Sequence, residues 1–274
     1  MSLKVLSAAV TCALVASSAL AGETILTPVQ DNTLYESATG HLSNGAGEWC
    51  FAGRTNQGFI RRALLRFDVS AIPLGATVES ASLRLTHTLG QPNAAAISLH
   101  RVLAGWGEGS SDAPNNEGFG ADATPGDATW LHTAFDASLW SAPGGDFVSK
   151  ASATALVGPD VGDYVWSDAL MASDVAVWVM DPASNFGWLL RADESIRFGT
   201  AKRFATRENL EPTFVPQLTI VWSVFGDLDD DGVVGASDLA ILLGQWGRAG
   251  SADLDQDGTV GPGDLARVLG AWTS

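Results

Sequence analysis

Cysteine is nearly missing from this chain: there are two in 274 residues, Cys12 and Cys50. Cys12 falls in the leader described below, which leaves one thiol and excludes an internal disulfide. Cys50 lies between Trp49 and Phe51 with no histidine adjacent, the setting of a packed thiol and not of a nucleophile. Histidine is scarce too, and His41, His87, His100 and His132 form no closely spaced ligand pair, which argues against zinc or copper. Positive charge is short: 15 Lys and Arg stand against 31 Asp and Glu, a formal charge of −16. Such a surface repels nucleic acid. No Gly-x-Ser-x-Gly elbow exists, because Gly107-Glu-Gly-Ser-Ser111 has the wrong register. Beyond the leader, no membrane span is expected.

Apolar residues are plentiful, at 46% with a mean hydropathy of +0.14, so a real core is expected. Residues 1–21 read as a secretory signal peptide. Lys4 supplies the positive start, Val5 to Leu20 are apolar or small, and Ala19-Leu20-Ala21 is a small-x-small cleavage site. The protein is therefore expected to be secreted, extracellular or on the cell surface. From residue 22 to 224 the pattern is β. Arg62–Val69, Val78–Thr86, Ala96–Val102 and Gln217–Trp222 alternate in polarity between Gly, Pro, Asn and Asp turns. That alternation predicts strands with one face in a core and one in water. Many strands without intervening helices imply a sandwich or barrel. One segment, Leu170–Met180, has apolar residues three to four apart and stops at Asp181-Pro182, which predicts a single packed helix. Two connections, 106–127 and 139–162, are long and rich in Gly, Pro, Asn and Asp; loops of that length tend to be functional or metal-organised.

Residues 225–274 differ in kind. Nine Asp fall within the last 48 residues, opposed by Arg248 and Arg267 alone. Two stretches, Asp227–Asp238 and Asp253–Asp264, repeat each other, and over twenty aligned positions thirteen match. Each has Asp at loop positions 1, 3, 5 and 12 and Gly at position 6, the spacing of a calcium loop. The ligands expected for the first ion are Asp227, Asp229, Asp231, the Val233 carbonyl and Asp238. Those for the second are Asp253, Asp255, Asp257, the Thr259 carbonyl and Asp264. Gly235 and Gly261 at position 9 imply a water there. Each loop runs into a helix with an apolar face, carried by Leu239, Leu243 and Trp246 in one and Leu265, Leu269 and Trp272 in the other. A pair this small buries little surface, so bound metal must supply stability.

Position 12 is Asp where an ordinary EF-hand has Glu, and no amphipathic helix enters the first loop. In both respects residues 226–272 resemble a dockerin. The resemblance implies a small α-helical calcium domain that plugs its partner module into a cohesin-bearing scaffold. Positions 10 and 11, which help choose the cohesin in that family, are Ala236-Ser237 and Pro262-Gly263, unlike each other. A cohesin-free anchor to a surface or matrix is the other expectation.

The segment Arg61–Leu85 reads as an L-x-R-F-D strand, an Ile-Pro turn and an Ala-x-Leu-x-Leu strand. With Asp31–Tyr35, Ala128–Trp130, Trp140–Asp146, Asn185–Trp188 and Ala201–Glu208 it resembles the DNRLRE family. Ala205-Thr206 departs from the more polar pair expected before Arg-Glu. The resemblance implies an all-β jelly-roll sandwich on a secreted bacterial protein, often beside carbohydrate-active modules, with some related domains binding polysaccharides such as alginate. A further structural calcium in the sandwich is left open.

Seven of the ten Trp lie between residues 49 and 188. Aromatic faces stack on sugars and Arg or Lys pair with acidic ones. Trp106, Trp130 and Trp140, in or beside loops, are the carbohydrate-binding candidates, with Arg66, Lys202, Arg203, Arg207 and Glu208. The competing expectation is that these Trp anchor loops and that the charges are ion-paired. The favoured function is a non-catalytic polysaccharide-binding module with a calcium-dependent docking domain. A structural or adhesive surface protein and a polysaccharide-degrading enzyme carrying a dockerin are the alternatives.

Overall fold

The computed structural model describes residues 22–196 and 199–273. The signal expected at residues 1–21, with Cys12, lies outside the described residues. The chain divides into two compact units, one of Gly22–Val224 and one containing Phe225–Ser274.

The larger unit opens with strands β1 (Gly22–Leu26), β2 (Pro28–Tyr35), β3 (Leu42–Ser43), β4 (Trp49–Arg54) and β5 (Ile60–Phe67). Its middle holds β6 (Thr77–Gly90), β7 (Ala95–Arg101), β8 (Ala121–Asp122), β9 (His132–Ala134) and β10 (Ser138–Leu139). It closes with β11 (Ala153–Val157), β12 (Gly162–Ser167), helix α1 (Ala169–Met180), β13 (Trp188–Ala192), β14 (Lys202–Ala205) and β15 (Gln217–Ser223). Eleven strands form one antiparallel sheet in the order β1-β15-β6-β14-β4-β5-β13-β7-β11, with β12 on β6 and β2 on β5. The fold is thus mostly antiparallel β, and the curled sheet is compatible with a sandwich.

The curl is made by β4. Trp49–Ala52 pair with β14, and Gly53–Arg54 turn to pair with β5. Gly53 has φ 116°, and a Cβ there would come within 2.5 Å of the Thr200 carbonyl oxygen, so a side chain fits neither the bend nor the close approach. Inside the curl, Ala63, Leu65 and Phe67 of β5 meet Leu83 and Leu85 of β6, Trp166, Trp188 and Phe204. Helix α1 covers this core with Met171, Val175, Trp178 and Val179. Its first turn is capped by Asp168, whose carboxylate accepts the Leu170 N–H.

β15 follows the expected alternation, with Leu218, Ile220 and Trp222 inward. β5 does not, for it is buried on both faces. Its second face, with Ile60 and Leu64, meets Leu34, Val102, Trp106, Ala128, Trp130, Trp140 and Leu189 in a separate core. The long connections supply this second cover, so β5 has no wet side. β11 lies inside a stretch expected to be loop. Its sequence, Ala-Thr-Ala-Leu-Val, is too short and Ala-rich to announce a strand, and pairing to β7 holds it.

In the smaller unit, helices α2 (Ala236–Gly244) and α3 (Pro262–Gly270) follow the two repeats. Val234 and Val260, at position 8 of each loop, are fully buried, as are Leu242 and Val268. Val260 exchanges backbone hydrogen bonds with the segment after α2, through Gly247 and Arg248. Val234 does the same with Thr273, after α3, through that residue's N–H and hydroxyl.

Candidate functional site

The pairing of β14, β4 and β5 places three cationic side chains around one groove of about 700 Å³. Arg203 is opposite Phe51 of β4 and Leu89 of β6, Lys202 is opposite Ala52 and Gly90, and Gly53 is opposite Arg61. Residues 36–38, 55–57, Phe59, Gly118 and Phe119 are also among the lining residues. Phe119 is 82% exposed, and Phe59 and Leu89 about half exposed.

Each cation is held by neutral groups. Arg61 donates to the Ile60 and Gly118 carbonyls and lies 4.7 Å over the Tyr35 ring. Lys202 Nζ donates to the Gln91 and Gly158 carbonyls, each at 2.7 Å. Arg203 donates to the Thr88 hydroxyl and lies 4.1 Å over the Trp49 ring. None of the three is ion-paired among the described residues. Burial pushes the pKa of all three below the ordinary value. Arg61 and Lys202 are 5% and 0% exposed, so Arg203, partly exposed on the other face of β14 from Lys202, is the cation that the groove presents to solvent. Glu36, the one carboxylate among the lining residues, accepts the Ile60 N–H. Cations beside exposed phenyl rings can pair with an anionic sugar and stack on its ring face.

Of the residues expected to bind sugar, Lys202 and Arg203 line the groove. Trp106, Trp130 and Trp140 do not: they are 8%, 8% and 5% exposed, inside the second core. Trp106 and Trp140 donate their indole N–H to the Phe186 and Thr129 carbonyls, and Trp130 lies under Arg62. The rings fasten the long loops onto β5, and Trp130 also lines a smaller pocket with Phe59, Leu131 and Pro143. Arg66 lines a different pocket, with Leu74 and Met180, and Asp68 accepts the Ser70 N–H. The sequence reading missed Arg61, Phe59 and Phe119. Phe119, a bulky apolar residue between Gly118 and Gly120 in a polar loop, carried a signal that could have found it.

Arg207 and Glu208 belong elsewhere. Arg207 donates two hydrogen bonds to Glu108, at 2.8 and 2.7 Å, and reaches Glu208 at 2.8 Å. Its N–H donates to Asp31, which is fully buried. Asp31, Glu108 and Glu208 each offer an oxygen within 4.8 Å of the others. Burial, and then the Glu208 charge, push the Asp31 pKa up strongly; burial pushes Glu208 up to about 7.

In the smaller unit the two loops fold alike. Gly232 and Gly258 at position 6 have φ of 87° and 99°, which side chains rarely adopt. Asp227 accepts the Asp230 and Gly232 N–H groups, and Asp253 accepts that of Gly258. Asp238 and Asp264 close their loops by accepting the Gly235 and Gly261 N–H groups at the helix starts. Asp227, Asp229 and Asp238 converge in the first loop, and Asp253, Asp255 and Asp257 in the second, each set within 4.8 Å. Asp231, Val233, Thr259 and Asp264 stand in the same loops outside those tight sets. Asp231 and Asp257 accept the N–H groups of Val233 and Thr259. Asp253 Oδ1 is buried without a partner, and the donor set is all oxygen, which fits a hard cation.

No family model matches the chain, and no curated protein matches it. No helix among the described residues is long and apolar enough to cross a membrane.

Proposed function

We propose that the larger unit is a non-catalytic jelly-roll module that binds an acidic polysaccharide in the groove at Arg203, with Arg61 and Lys202 buried beneath it. The observation that carries this reading is the partly exposed Arg203, without an ion-pair partner among the described residues, in a groove with the exposed rings of Phe59 and Phe119. A uronate or sulfate group would replace lost water with charge-assisted hydrogen bonds, and the phenyl rings would take the apolar faces of neighbouring sugars. Hydrolysis by an acid–base pair needs two facing carboxylates, and Glu36 stands alone among the groove's lining residues, which favours binding without cleavage.

The smaller unit, in this reading, is a dockerin-like calcium domain that attaches the module to a cohesin-like or cell-surface partner outside the cell. Asp227, Asp229, Asp231, the Val233 carbonyl and Asp238 hold one calcium ion; Asp253, Asp255, Asp257, the Thr259 carbonyl and Asp264 hold the other. The ions neutralise converging carboxylates and fix the loops. The two unlike position 10–11 pairs, Ala236-Ser237 and Pro262-Gly263, favour a single docking orientation.

Affinity electrophoresis of the full chain against a panel of polysaccharides tests the binding half. Retardation by uronate-rich or sulfated polymers, weaker at high salt and reduced in Arg203→Ala, is expected. Equal or absent retardation across acidic and neutral polymers would refute it.

A further inference from the structure

The larger unit contains a cluster that the groove does not use. Asp31 on β2, Glu108 in the connection after β7 and Glu208 after β14 come together from three distant parts of the chain. Several contacts build the arrangement. The Asn32 side-chain amide donates to the Glu108 carbonyl, and the Asp31 N–H donates to Glu108 Oε1. Gly45 lies so close to that same carbonyl that a Cβ would collide with it. The Arg207 side chain occupies both Glu108 oxygens and Glu208 Oε1, and its N–H occupies Asp31 Oδ2.

After those bonds, two carboxylate oxygens remain without a donor. Asp31 Oδ1 and Glu208 Oε2 are both buried from water and unpartnered. Asp31 is 0% exposed, and its carboxylate faces the other two acids. One guanidinium does not balance three carboxylates, and a buried, unpaired carboxylate oxygen is costly. The side chains of Glu108 and Glu208 keep 15% and 20% exposure, so the cluster is reachable from solvent on their side.

We propose that Asp31, Glu108 and Glu208 form a calcium site in the larger unit, independent of the two loops of the smaller one. The donors are all oxygen, as a hard divalent cation requires, and they come from three chain segments, as in a structural ion that ties loops to a strand. The ion would pin the connection after β7 and the turn after β14 onto β2. Arg207 acts as a positioning residue that holds Glu108 and Glu208 facing Asp31.

The test uses the full chain carrying Asp227→Ala and Asp253→Ala, which silences both C-terminal loops. After equilibrium dialysis, calcium per chain is counted by elemental analysis. One ion per chain is expected, and none once Glu208→Gln is added, with the β-sheet circular dichroism unchanged. The chain with the cluster intact gives a second readout that needs no cluster variant. Its Tm should rise by roughly 5–10 °C at a hundredfold excess of calcium over Kd. No ion in the loop-silenced protein, together with a Tm indifferent to calcium, overturns the site and leaves Asp31 and Glu208 sharing a proton. An ion count unchanged by Glu208→Gln overturns it equally. Chains with native loops separate the two proposals: three ions if both hold, two if only the loops bind, one if only this cluster does.

Discussion

The larger unit buries Trp166, Trp178, Trp188, Phe67 and Phe204 to below 2% exposure, whereas the smaller unit buries no hydrophobic side chain larger than Leu242. The first surrounds its core on both sides of β5. The second places Asp227, Asp238 and Asp264 among its most buried residues. Hydrophobic burial stabilises the one in any buffer, while the other must bring like charges together to fold at all. The difference teaches that a single chain can combine a unit built on apolar packing with one whose buried residues include several carboxylates.

The strongest way to break this contrast is to remove the ligands. Asp227→Ala with Asp253→Ala should abolish calcium binding by the loops and unfold residues 226–273 while leaving the sheet folded. Two calorimetric transitions reducing to one would show it; the same melting profile with and without EDTA would contradict it. The converse variant is Trp188→Ala, which should cost the larger unit about 3–5 kcal/mol in urea unfolding and leave loop calcium affinity unchanged. A common loss in both units would mean that they do not melt separately.

Smaller effects sharpen the picture within the larger unit. Phe119→Ala touches no core and should leave Tm unchanged while weakening acidic-glycan binding roughly two- to tenfold by titration calorimetry. The smallest effect concerns pH. Burial, partly offset by the hydrogen bond to the Val148 carbonyl, holds the His100 pKa below its ordinary 6.5. The unfolded chain then takes up a proton near pH 6.5 that the folded chain refuses. The associated stability is complete above that pH and declines as pH falls through it. His100→Gln should flatten the decline in Tm between pH 7 and 5.5; an unaltered slope would assign it to other groups.

The sequence carried the two units unequally as well. The acidic clusters of the smaller unit were readable because the carboxylates of each lie within twelve residues of one another along the chain. The helix at Leu170–Met180 came within one residue of α1 for the same local reason. The groove was not readable, since Arg61 and Arg203 meet only because β4 bends at Gly53 from one partner strand to the other. Tryptophan content alone does not tell a ring that stacks on a sugar from one that fastens a loop. Arg207 and Glu208, adjacent to useful cations in sequence, turn toward Asp31 and Glu108, and no local pattern announces that turn.

Thr273 accepts the Val234 N–H on its hydroxyl and donates its own N–H to the Val234 carbonyl, 39 positions back along the chain. The first repeat is therefore finished by residues made after the second. During synthesis it cannot reach its final shape until Thr273 has cleared the ribosome tunnel. A protease that removes Thr273 would take both of these bonds from the earlier loop without cutting inside it.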